Sequence, residues 1–148
     1  DPATGRITMV ATPFKGPRRL RTDEQGNLWI AAFPESAIAR FEPATGRFTR
    51  FDLPLQPRGG DTPYSLNVDR PRGIVWVNGN QSDSLYAFDI ASETWQVIPL
   101  PRRVSFTRDV EFDPAGTAYT SISNFPSWHV EDAQPTLIRV QRPSAGPG

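Results

Sequence analysis

Apolar and polar residues alternate in short bursts along this chain, and the bursts recur. Pro17-Arg18-Arg19-Leu20-Arg21-Thr22-Asp23, Pro63-Tyr64-Ser65-Leu66-Asn67-Val68-Asp69 and Thr107-Arg108-Asp109-Val110-Glu111-Phe112-Asp113 share one pattern. A period of two marks a strand, and the closing aspartate opens a turn by bonding nearby backbone N–H groups. A glycine-bearing turn then leads to a second strand with a large aromatic at a fixed place. Gly26-Asn27-Leu28-Trp29-Ile30-Ala31 matches Gly73-Ile74-Val75-Trp76-Val77-Asn78 and Gly116-Thr117-Ala118-Tyr119-Thr120-Ser121. Rings that recur in this way, Trp95 among them, predict packing between neighbouring sheets. Third strands are predicted over residues 37–41, 84–88 and 136–140, and fourth strands over 47–53 and 94–100.

A turn phrase punctuates the pattern. Asp1-Pro2-Ala3-Thr4-Gly5-Arg6 and Glu42-Pro43-Ala44-Thr45-Gly46-Arg47 are nearly identical, and Asp89-Ile90-Ala91-Ser92-Glu93-Thr94 is a looser version. A turn and strand repeated at about 45 residues signals a repeat architecture. Four short strands per unit, with an aromatic and a turn signature in each, predict an all-β fold, a β-propeller. One domain is expected. Residues 1–13 read as the outer strand of a preceding or closing blade, residues 17–54, 63–101 and 107–142 as blades, and 143–148 as a flexible tail. The third blade has no fourth strand, and residues 6–10 form a fourth strand with no blade before it.

Propellers typically have four to eight blades. About three are supplied here, so an arc of a six- or seven-bladed ring is expected, either from a longer chain or from two joined copies. The remaining blades are then the expected partner, because open blade faces would leave apolar surface in water.

Composition narrows the chemistry. The 148 residues carry no net charge, which removes any general pull toward nucleic acid or an anionic membrane. Lys15 is the only lysine, and the arginines are spread along the chain among balancing acids. The absence of cysteine excludes disulfides, thiolate metal sites and cysteine nucleophiles. No apolar run is long enough to span a bilayer. A first residue of Asp1 rather than Met suggests a trimmed chain, and a periplasmic or extracellular location is the expectation.

The pattern P-x-x-[LIV]-x-x-D, then G-x-[LV]-W, then [IL]-x-x-[FV], then an acidic-P-x-T-G turn with a closing L-P resembles the streptogramin B lyase family, also called virginiamycin B lyase-like propellers. Gluconolactonase-like and NHL propellers share parts of it. The resemblance covers nearly the whole chain. It implies a catalytic histidine directly after the proline of a first strand, and a glutamate two residues beyond the Trp-aromatic pair of a second. With magnesium these would eliminate across an ester of a cyclic depsipeptide. Here the histidine positions hold Arg18, Tyr64 and Arg108, and the glutamate positions hold Ala32 and Gly79. No catalytic residue is therefore assigned within this segment. Magnesium enters only if a lyase or lactone-hydrolase site lies outside it.

Other candidates remain. Arg18, Tyr64 and Arg108 occupy equivalent places on three first strands, which line the channel of a propeller. Two guanidiniums and a phenol at one mouth suit a carboxylate or phosphate; the alternative is pairing with Asp61 or Asp109. Arg19, Arg21, Ser65, Asn67, Asp109 and Glu111 would line a polar tunnel. The insertion 124–135 carries Phe125, Trp128 and His129, a candidate loop for a protein partner. His129 with Glu131 and Asp132 is a weak metal signal, Asp83 and Asp89 lack calcium-loop spacing, and no metal ligand is assigned. Asn80-Gln81-Ser82 fits a glycosylation acceptor only in a secreting eukaryote. The leading expectation is a non-catalytic binding or scaffold propeller that presents a rim or channel mouth to a protein or small anion. A lyase and a structural subunit of a larger exported complex are the alternatives.

Overall fold

A computed structural model describes residues 1–55, 57, 59–103, 105–122 and 136–141. The insertion with Phe125, Trp128 and His129, and the tail, lie outside the described residues. Three separate antiparallel sheets are formed. The first has the order β1 (Pro17–Thr22), β2 (Leu28–Ala32), β3 (Ala37–Glu42), β4 (Arg47–Asp52). The second repeats it with β5 (Pro63–Asp69), β6 (Ile74–Gly79), β7 (Ser84–Asp89), β8 (Thr94–Pro99). The third comprises β9 (Glu111–Phe112), β10 (Ala118–Ile122) and β11 (Thr136–Val140). The first two are meanders, with consecutive strands joined by short turns.

The first two sheets are apolar on both faces, because the second lies between the other two and Phe14 covers the outer side of the first. Along β2, Trp29 and Ala31 join one core with Leu66, Val68, Val75 and Phe88 of the second blade, while Ile30 and Ala32 pack with Phe14 on the opposite side. Along β6, Val75 and Val77 face the first blade, and Ile74 and Trp76 face Val110 and Ala118 of the third. The period of two thus delivers alternate residues to two different cores. Trp29, Trp76 and Phe88 are wholly buried, and Phe88 lies 4.8 Å from Trp95 and 5.6 Å from Trp29, ring to ring. Burial of apolar side chains like these is worth roughly 1.5–3 kcal/mol each.

Two expectations are corrected. Residues 6–10 form no strand: Ile7 and Met9 are 87% and 91% exposed. Their turn nevertheless keeps the hairpin geometry of the β3–β4 turn. The Gly5 N–H donates to Asp1 O at 2.8 Å, as the Gly46 N–H does to Glu42 O. The local signal is intact, but among the described residues no neighbouring strand pairs with it. The first strand of the third blade is also shorter than residues 107–113. Side chains take over its ladder: the Asp109 carbonyl accepts from Asn78 Nδ2 and Thr120 Oγ1, and the Val110 carbonyl from Asn67 Nδ2. Phe106, at φ 44°, turns the chain before it.

Candidate functional site

The N-terminal ends of the first strands depart from regular pairing in the same way. In β1 the register with β2 shifts between Pro17 and Leu20, and in β5 the register with β6 shifts between Pro63 and Leu66. A bulge bends a strand and re-aims the extra side chain. Arg18 and Tyr64 sit inside these irregular stretches, and Arg108 precedes the shortened β9 at the equivalent place.

The three sequence-predicted residues converge. The guanidinium carbon of Arg18 lies 4.3 Å from the Tyr64 ring centroid, and that of Arg108 lies 5.5 Å from the same ring. Phe33 completes the arrangement, with its centroid 4.2 Å from the Arg18 guanidinium carbon and its plane at 86° to that of Tyr64. A guanidinium over a ring face gains about 0.5–1 kcal/mol at an exposed site. The two rings, nearly perpendicular to each other, hold the Arg18 guanidinium between them. Among the described residues Arg18 forms no ion pair with a carboxylate. Its neighbour Arg19 does, reaching Asp109 of the third blade at 3.5 Å, with both side chains nearly half exposed. So Asp109 serves Arg19 rather than Arg18.

Asp61 is engaged elsewhere. It is fully buried and accepts from the Thr62 and Gln81 backbone N–H groups at 2.7 Å, from the Tyr86 hydroxyl at 2.7 Å and from the Ser82 hydroxyl. Its backbone carbonyl accepts from the Ser36 hydroxyl. Burial pushes the Tyr86 phenol well above its usual range, so it remains a donor. This cluster ties the segment leading into Tyr64 to the β6–β7 loop. Of the expected tunnel residues, Ser65 is buried and bonds Asn78 Oδ1 at 2.9 Å.

Phe33 has no counterpart that recurrence could reveal, because the residue after β6 is Asn80. The only signal was an aromatic at a strand end beside Pro34. The family's glutamate positions are closed. Ala32 is buried, and a Cβ added at Gly79 would lie 2.1 Å from Asp61 Oδ2 and 2.8 Å from the Ser84 carbonyl. Nor does the donor set fit magnesium, since guanidiniums at the mouth repel a cation. Among the described residues no group of three or more acidic or histidine side chains is placed to hold a metal. No helix among them is long and apolar enough to cross a membrane.

No protein-family model matches the sequence, and no curated protein matches it. Solved structures do resemble the fold. A streptogramin B lyase is similar with a TM-score of 0.68 and 18% identity, over 90% of this chain and 43% of that one. A catalytically inactive virginiamycin B lyase from Staphylococcus aureus, with quinupristin, is similar with a TM-score of 0.70 and 17% identity, over 93% and 45%. An extracellular domain from B. thetaiotaomicron reaches 0.60 at 19% identity, over 80% and 15%. The chain therefore spans less than half the length of the lyases it resembles. At these identities the likeness establishes the fold alone, part of a β-propeller.

Proposed function

We propose that this chain is the anion-binding part of a non-catalytic propeller, holding a small carboxylate or phosphate at the channel mouth between Arg18 and Arg108. The observation that carries the reading is the convergence of both guanidiniums on Tyr64. The resemblance to the lyases implies histidines at these positions, where this chain has arginine and tyrosine, so the lyase alternative requires catalytic residues outside this segment. An exported location is supported by the fold likeness to extracellular domains, and partner identity is left to experiment. The test is calorimetric titration with succinate at low ionic strength. Charge-assisted hydrogen bonds contribute about 1.5–3 kcal/mol each. Arg18→Ala and Arg108→Ala should therefore each weaken binding roughly 10- to 100-fold, and salt should weaken it in the parent protein. Absence of binding, or binding that both variants leave intact, overturns the reading.

A further inference from the structure

Two of the three mouth residues are placed by a ladder, and the third is not. Arg18 lies in β1 and Tyr64 in β5, and each strand pairs with its neighbour on both sides of that residue. Arg108 precedes β9, which begins only at Glu111. Its backbone is gripped by side chains instead, most of them from the second blade. Before it, the Asp83 carboxylate accepts from the Ser105 backbone N–H and hydroxyl, both at 2.7 Å. After it, Asn78 Nδ2 donates to the Asp109 carbonyl at 3.1 Å, and Asn67 Nδ2 to the Val110 carbonyl at 2.8 Å. From the third blade, Thr120 Oγ1 donates to the same Asp109 carbonyl at 2.6 Å.

Asn78 is the centre of this grip. It is wholly buried, and both ends of its amide are engaged. Oδ1 accepts from the Ser65 hydroxyl at 2.9 Å, and Nδ2 also reaches Thr120 Oγ1 at 3.3 Å. A buried network satisfied in this way fixes its members in place. The residue type is itself informative. The same position in β2 is Ala31, which faces the second blade, where β5 has its own ladder. A buried amide costs free energy unless it is hydrogen-bonded. The chain carries one between sheets where the adjoining first strand lacks a ladder, and it bonds the residue next to Arg108.

We propose that Asn78 is a positioning residue of the mouth: by holding the Asp109 carbonyl it sets Arg108 over Tyr64, and so governs the anion affinity, a role that rests on the anion-binding reading above. Two measurements on Asn78→Ala, which gives the second blade the residue of the first, test it. The Tyr64 ring displaces the Arg108 side-chain N–H resonance, a displacement identified by its loss in Tyr64→Leu. Asn78→Ala should lose it too. In calorimetric titration Asn78→Ala should weaken succinate binding about fivefold or more, but no further than Arg108→Ala does. Added to Arg108→Ala it should weaken binding no further, because a residue that acts through Arg108 has no effect once that guanidinium is gone. An Arg108 resonance unmoved in Asn78→Ala overturns the proposal. So does a loss of affinity that persists undiminished in the Arg108→Ala background, which would mark general damage to the interface between sheets. A parent chain that binds no succinate overturns the anion reading and the affinity role with it, while the resonance still decides whether Asn78 places Arg108. If Asn78→Ala does not fold, both measurements pass to Thr120→Val, which removes the other side-chain donor to the Asp109 carbonyl.

Discussion

At Asp23, burial and hydrogen bonding pull in opposite directions. Burial disfavours its charge, but donors on Trp29 and Asn27 outweigh it and hold the carboxyl below its usual value. A folded-state pKa below the unfolded one stabilises the fold above the unfolded value. That stability is lost as pH falls through the folded value. Asp23→Asn should therefore flatten the acid limb of a pH–stability profile measured by thermal melting below about pH 4. An unchanged limb would show that the carboxylate contributes nothing. Asp23→Ala should cost about 1–3 kcal/mol, since it leaves a buried indole N–H without an acceptor. The second blade already carries that condition. The Trp76 indole N–H is buried and unpartnered, because the equivalent Asp69 is held by Arg72 at 3.2 Å. At this scale the mouth was readable from the repeat, since Arg18, Tyr64 and Arg108 fall at one repeat position. Phe33 and Asn78 were not, because what matters in each is a contact made between blades.

Strands and turns were the most legible part of the sequence. The period of two, the aspartate turns and the recurrent aromatic located nearly every ladder to within a residue or two. What the pattern hid was irregularity. A bulge leaves no mark on alternation when the residues around it are polar, as in Pro17-Arg18-Arg19, and the bulges aim the mouth residues. The end of β6 shows a second constraint invisible in sequence. Gly79 has an ordinary negative φ, and glycine is required there by the Asp61 carboxylate and the Ser84 carbonyl. Gly79→Ala should lower stability by about 1–3 kcal/mol, as overpacking does. Chemical denaturation would measure it, and a neutral result would mean that the Asp61 cluster can move aside. Tyr86→Phe removes one of that cluster's donors and should cost roughly 1 kcal/mol in the same assay.

On the scale of the whole molecule, the blades stabilise one another through shared cores. The second blade is covered on both faces, and Phe14 shields the outer side of the first. On the third blade Leu137 is 69% exposed, and β11 has no outer neighbour among the described strands. Ile7 and Met9 are open as well. The number of blades could be counted in the sequence, but what covers the ends could not, because that surface belongs to whatever flanks them. The mouth exists only where three blades meet, so its binding depends on the arc holding its curvature. Sedimentation equilibrium of the isolated 148-residue chain tests this most directly. An arc with open apolar ends should associate with increasing concentration. A monomer at every concentration, melting in a single cooperative transition, would contradict the arc and the binding site built on it.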